Sequence, residues 1–315
     1  MKLSLKATLI LLPICTFSQT STIEKEVTNK ACECINKINE NELFSRKHFY
    51  DEINKCIDEQ VLIFQLSDKL SAVKIDDDKT NKTDSVNIKI DTNKNSADYL
   101  KYYRTIEDNL LEECKGFKDR IAASEIGMES EIPSKNPKAL DFYNKGNNEV
   151  RNKNWEKAAE FYKKAVKEDP DFTFAWDNLG VNLRRLNRFN EAIEAYEKSL
   201  SIDPYGKMPL QNIAVVYIYS EKFEKAKFAY EKFMKVYPDY VEPVYGLANL
   251  HIAHLKNYEI GLDYACKAFV SYVESNSPYR SDAEQLIKIA YQELKKQGKE
   301  NRFDEILKEN NINNQ

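Results

Sequence analysis

The stretch TFAWDNLGVNLRRLNRFNEAIEAYEKSLSIDPYG, residues 173–206, decides how this chain is read. It holds Phe189, Ala192, Tyr196 and Pro204. Each has counterparts one period away on both sides: Trp155 and Phe223, Ala158 and Ala226, Tyr162 and Tyr230, Pro170 and Pro238. Four position classes moving together with a period of about 34 residues mark a helix–turn–helix unit stacked into an α-solenoid. Each proline closes the second helix of its unit, because it lacks a backbone donor and turns the residue before it away from helix. Small residues at Gly146, Gly180, Ala158 and Ala192 let helices approach closely. The aromatics fill the space between helix pairs. None of these positions is assigned chemistry.

The spacing and residue types resemble the tetratricopeptide repeat family. Its pattern has a bulky residue, a Leu-Gly pair, an aromatic, a small Ala, a second aromatic, another Ala and a closing Pro. Residues 173–206 match through Trp176, Leu179, Gly180, Ala192, Tyr196 and Pro204. They depart at Leu183, where an aromatic is usual, and at Ser199, which replaces the second Ala. The preceding unit supplies Phe142, Gly146, Ala158, Tyr162, Ala165 and Pro170. The following one supplies Leu210, Ile213, Ala214, Tyr217, Ala226, Tyr230 and Pro238. A fourth unit, 241–274, keeps Val244, Leu247 and Ala248. It then carries one extra residue in its turn, so that Gly261 takes the usual Ala place, ahead of Ala265 and Ala268. A charged helical pair, 282–296 and 301–310, with traces of the repeat at Ile289, Ala290 and Phe303, reads as the polar cap that a solenoid end needs.

Upstream of the repeats the character changes. Lys2 and Lys6 precede an apolar run from Ala7 to Phe17, and Ser18 and Gln19 turn polar. This is the shape of a signal peptide, too short to span a membrane as a mature helix. Cleavage is expected after about Ser18, which makes the protein exported, periplasmic or in the outer envelope. Cys15 raises a lipidated terminus as an alternative, but Ile14 stands where a small residue is wanted. No later stretch is apolar enough to cross a membrane.

Of six cysteines, Cys32, Cys34, Cys56 and Cys114 fall in the next segment. Val27, Ala31, Cys34, Ile35 and Ile38 share one helical stripe, and Cys32 lies roughly 160° away. Phe49, Ile53, Cys56, Ile57 and Phe64 form a second stripe. A third is Tyr99, Tyr103, Ile106, Leu110 and Phe117, with Cys114 at its flank. Stripe-to-stripe packing favours Cys34–Cys56 and Cys32–Cys114, as suits an exported chain. The alternative is a zinc or redox-sensing site on the same four thiolates, although no Cys-x-x-Cys spacing is present. The polar run 74–98 reads as a flexible loop. Its Asp76, Asp77 and Asp78 lack the glycine turn and closing Glu of a calcium loop.

The expected organisation is therefore all-α. A signal peptide (1–18) precedes a small disulfide-braced helical domain (19–123), a linker with Pro133 and Pro137 (124–137), four repeats (138–274) and a capping pair (275–315).

Composition narrows the function. The 315 residues carry a formal net charge of −4, with 31% charged and 42% hydrophobic residues. Basic residues are interspersed with acidic ones, so the concentrated basic face that nucleic acid needs is missing. No glycine-rich phosphate loop, Gly-x-Ser-x-Gly or His-Glu-x-x-His occurs. His251 and His254 are three apart on one helix, but His251 occupies an aromatic packing position and no acidic partner completes a metal set. Cys266, among Tyr264, Ala265 and Ala268, reads as a buried small apolar residue. The reading is a non-catalytic scaffold with no cofactor and a protein or peptide partner.

The resemblance implies where that partner would sit. First helices of tetratricopeptide units line a concave surface. The matching positions here are Tyr143, Asn147 and Arg151; Asp177, Val181 and Arg184; Gln211, Val215 and Ile218; and Tyr245, Asn249 and Ile252. Some members clamp a C-terminal carboxylate with lysines, asparagines and an arginine. Here Asn147 and Asn178 match, whereas Tyr143, Met208 and Asn212 replace the basic residues, so that clamp is expected to be missing. A structural element of an envelope assembly, contacting through its convex face, is the other reading.

Overall fold

The computed structural model describes residues 2–7, 19–38, 46–72, 86–94, 96–126 and 134–312. It divides into two compact units, Met1–Gly127 and Met128–Gln315.

The first unit is built from α1 (Gln19–Asn36), α2 (Arg46–Ser71), α3 (Ala97–Glu113) and α4 (Lys115–Ile126). The apolar stripes meet in its core: Ala31 and Ile35 of α1, Ile53, Ile57 and Val61 of α2, Ile106 and Leu110 of α3, and Phe117 of α4 are all buried. Cys34 is bridged to Cys56 and Cys32 to Cys114. With both pairs oxidised, the four sulfurs are not free to act as thiolate ligands.

Two features differ from the sequence reading. The third helix is not continuous. Cys114 is extended, at φ −91° and ψ 96°, and α4 starts afresh after it. A Cβ on Gly116 would fall 1.9 Å from Oδ1 of the exposed Asn36 side chain, which would have to turn aside to admit it where the first turn of α4 meets the end of α1. Arg120 then donates to the carbonyls of Asn36 and Ile38, both at 3.2 Å, satisfying acceptors that the end of α1 leaves open.

The second difference lies inside the expected loop 74–98. Val86–Asp91 forms a strand, β2, and α3 begins at Ala97, so of this loop 74–85 and 95 fall outside the described residues. The alternation of Val86, Ile88 and Ile90 has the period of a strand, and a composition average over a polar window conceals it. The strand is fastened to α2. Gln65 donates to the Asp91 carbonyl and accepts from the Asp91 amide, each at 3.0 Å, and Lys69 donates to the Lys89 carbonyl at 2.9 Å. Along its other edge runs β1 (Lys2–Ala7), antiparallel, with Leu3 opposite Ile90 and Leu5 opposite Ile88. Residues 1–18 are the expected leader, of which 8–18 lie outside the described residues.

The second unit is a run of antiparallel helix pairs: α5 (Pro137–Arg151) with α6 (Trp155–Glu168), α7 (Thr173–Arg185) with α8 (Phe189–Ile202), and α9 (Lys207–Tyr219) with α10 (Phe223–Val236). They continue with α11 (Glu242–Asn249) and α12 (Tyr258–Glu274), then α13 (Arg280–Lys296) and α14 (Glu300–Glu309). Asn136 starts the series, its side chain accepting from the amides of Lys138 and Ala139, with Pro137 at the first helical position. Asp169 and Asp203 are extended immediately before Pro170 and Pro204, and Tyr237, at φ −128° and ψ 71°, has likewise left the helical region before Pro238, as a following proline demands.

The turns repeat as strictly as the sequence does. Lys153, Asn187 and Glu221 are left-handed, at φ 59°, 58° and 56°. Beyond each, an amide closes a Schellman bond: Asn154 to the Glu149 carbonyl at 2.9 Å, Arg188 to Leu183 at 2.9 Å and Lys222 to Tyr217 at 2.8 Å. The next left-handed residue, Lys256, falls one position late. The extra residue of the fourth unit is taken up in a π-turn, Leu250–His254, which continues α11 and is closed by Leu255 donating to the Leu250 carbonyl at 3.0 Å.

Between the helices of a pair, the glycines have a specific task. A Cβ on Gly146 would stand 2.7 Å from the Tyr162 ring, and one on Gly180 would stand 2.6 Å from the Tyr196 ring. Both tyrosines are completely buried. Burial of each aromatic contributes about 2–3 kcal/mol, so the glycines exist to admit the rings.

Candidate functional site

The first helices α5, α7, α9, α11 and α13 present the candidate groove. At its N-terminal end the polar groups are engaged within the protein. Tyr162 donates to Asn147 Oδ1 at 2.7 Å, and Asn178 donates to the Tyr143 hydroxyl at 3.2 Å and to the Phe174 carbonyl at 2.8 Å. The two asparagines that match the carboxylate clamp are therefore tied to tyrosines and backbone. Asn212 donates to the Met208 carbonyl at 2.9 Å. Arg151 is exposed beside Asn148. Asp177 is buried and Val181 packs against the solenoid core.

Arg184 is placed differently. Its guanidinium lies close enough to Tyr196 to oppose the burial that pushes that phenol's pKa well up, and it acts on Tyr230 in the same sense. Arg184 Nε and the Tyr196 hydroxyl are both buried, so this guanidinium is turned towards the tyrosines inside the repeat unit.

Towards the C-terminal end the groove deepens into a cavity of about 800 Å³. Gln211, Val215 and Ile218 of α9 line it together with Tyr245 and Asn249 of α11. Ile252 does not. It is buried to 1% exposure and packs with Leu262 and Ala265 in the core, because the π-turn shifts the helix register beyond Asn249. Sequence periodicity missed several lining residues: Tyr219 and Glu221 at the end of α9, Glu242 at the start of α11, Tyr272 on α12, and Tyr279 and Asp282 by α13. They sit at helix ends or on second helices, outside the three- and four-residue spacing used to project the face. Tyr219 and Tyr279 are about 60% exposed, at 60% and 61%, unusual for large aromatic rings.

The two histidines part company. His251 is buried, stacks on Tyr264 with centroids 6.0 Å apart, and has its pKa lowered by burial and by Lys227. His254 lies against Phe223 at 5.1 Å and lines the cavity. Among the described residues no group of three or more His, Cys, Asp or Glu is arranged to hold a metal ion. Cys266 is free and buried, and burial pushes its thiol up to about 12. No described helix is long and apolar enough to cross a membrane.

A succession of helix pairs, each packed on the next, defines an α-solenoid. Residues 139–172 and 173–205 each match one tetratricopeptide repeat family model, and 209–240 match a second. This part of the chain belongs to the tetratricopeptide repeat family. Solved structures with a similar fold include MamA from Desulfovibrio magneticus RS-1, 15% identical over 56% of this chain and 95% of that one, with a TM-score of 0.47. A tetratricopeptide repeat protein from Parabacteroides merdae is 23% identical over 55% and 66%, with a TM-score of 0.45. The first such domain of Spaghetti (RPAP3), solved with the HSP90 peptide SRMEEVD, is 22% identical over 39% and 98%, with a TM-score of 0.37. No curated protein matches the chain.

Proposed function

We propose that this protein is a non-catalytic, exported scaffold that binds a peptide or an extended protein segment in the groove of its repeat unit. The observation that carries this reading is the cavity of about 800 Å³ lined by Val215, Ile218 and the exposed rings of Tyr219 and Tyr279. Its size is that of a ligand site, and aromatic anchors in a concave setting are the usual energetic centres of an interface. Some similar folds have been solved with a peptide bound, as in Spaghetti. The signal-like N-terminus and the two disulfides support an oxidising, extracytoplasmic location. In the mature protein β2 would retain its bonds from Gln65 and Lys69 after the leader is removed.

The test is selection of binders from a phage-displayed random dodecapeptide library on the purified protein. Selected peptides should lose at least tenfold in affinity on the double variant Arg184→Glu, Val215→Asp, with its helical circular dichroism unchanged. Undiminished binding to that variant would place the site elsewhere.

A further inference from the structure

The C-terminal end of the groove has a charge pattern that specifies its occupant. Three carboxylates line the cavity, Glu221, Glu242 and Asp282, and no lysine or arginine does. Two other carboxylates of this unit sit between paired cations: Glu191 between Arg188 and Lys163, Glu259 between Lys299 and Arg302. Among the described residues the three in the cavity have no ion-pair partner. Each also sits at the edge of a helix, Glu221 in the left-handed turn after α9, Glu242 at the start of α11 and Asp282 in the first turn of α13, so they come from three successive units.

The carboxylates surround aromatic faces. Tyr245 and Tyr272 have centroids 6.4 Å apart, and Tyr272 and Tyr279 are 6.1 Å apart, making a connected row of three rings. Glu242 and Asp282 line the same cavity as Tyr272, and burial, then Glu242, Tyr245 and Asp282, push its phenol up to about 12. Rings attract cations through their faces, and more strongly where water is thinned out. Carboxylates without counter-charge add attraction in the same place. The acidic groups do not converge on one point as metal ligands would, so the complementary charge is an organic cation on a stem.

We propose that this end of the groove is a pocket for the side chain of a lysine or arginine in the bound peptide, with Tyr245, Tyr272 and Tyr279 covering its aliphatic stem and Glu221, Glu242 and Asp282 holding its charge. The inference rests on the groove reading, and its test is separate from that one. Dodecapeptides selected from the random phage library on the full wild-type chain should be enriched in Lys or Arg at one position. Replacing that residue by norleucine, or making Glu242→Gln with Asp282→Asn, should each weaken binding about tenfold or more. The two changes together should weaken it little beyond either alone. The variant is isosteric, and unchanged thermal unfolding certifies its fold.

If the selected peptides bind the groove, as shown by loss on the Arg184→Glu, Val215→Asp variant, yet carry no enriched basic residue or are indifferent to Glu242→Gln with Asp282→Asn, the cation pocket is wrong and the groove stands. If no peptide is sensitive to either variant, both fall.

Discussion

Removing the two disulfides one at a time tests how the first unit is held. Cys32 and Cys114 are 82 residues apart, and Cys34 and Cys56 are 22 apart, so the second loop is nested in the first. A bridge stabilises chiefly by restricting the unfolded chain, and the effect grows with the logarithm of the loop it closes. With the inner bridge intact, the outer one closes an effective loop of roughly 60 residues, because the chain takes the short cut through Cys34–Cys56. The double variant Cys32→Ala, Cys114→Ala should therefore lose about 4 kcal/mol, and Cys34→Ala, Cys56→Ala about 3 kcal/mol. For a unit of this size each kcal/mol lowers the midpoint by about 4–8 °C. Differential scanning calorimetry on the full chain, with and without reductant, reads both effects. The repeat unit contains only the free Cys266, so its own transition should not move. If deleting the outer bridge costs less than deleting the inner one, or if reduction lowers the repeat transition equally, the loop-entropy account fails. Non-reducing peptide mapping that joins Cys32 to Cys56 would overturn the pairing itself.

Three further outcomes follow from the repeat unit. Gly180→Ala adds a methyl 2.6 Å from the Tyr196 ring; overpacking of about 1–3 kcal/mol should outweigh the helix-propensity gain of about 1 kcal/mol, giving a net loss of about 1 kcal/mol in urea unfolding. A net gain would show that the ring is not fixed. Hydrogen bonds from Arg188 and then Lys163 lower the Glu191 carboxyl to about 2. A lowered carboxyl stabilises the fold above its ordinary range and loses that contribution as pH falls towards 2. Because the pair is exposed, that contribution is only a few tenths of a kcal/mol. An NMR titration should show a midpoint well below 4 that returns towards 4.5 in Arg188→Ala. Cys266, its thiol raised to about 12, should resist a thiol reagent in the native protein and react with one equivalent on denaturation; fast native labelling would contradict its burial.

The surface proposed to bind and the residues that make the repeat recognisable are nearly disjoint. Gly180, Ala192 and Tyr196 are consumed by packing. Tyr219, Tyr279 and the three carboxylates lie where the repeat leaves residue type unconstrained. That is also why resemblance to tetratricopeptide proteins does not predict the ligand: the clamp asparagines here are turned to internal bonds with Tyr143 and Tyr162.

The sequence by itself determined whatever depends on periodic local geometry. The 34-residue period placed the helix pairs, because each small residue, ring and proline answers a packing need set within one unit or its neighbour. Helical phase sorted four cysteines into two facing pairs. The surplus residue of the fourth unit was visible as a slip in that period. Only the tertiary structure decided how the slip is absorbed: as a π-turn that buries Ile252 and leaves His254 at the cavity, since the backbone can bulge at any of several positions and packing of the neighbouring helices selects one. It also decided that Val86–Asp91 is a strand, whose partners lie far away in sequence, and that Glu221, Glu242 and Asp282 share one cavity. Those three come from successive units and have no common local spacing. What unites them is the stacking of helix pairs.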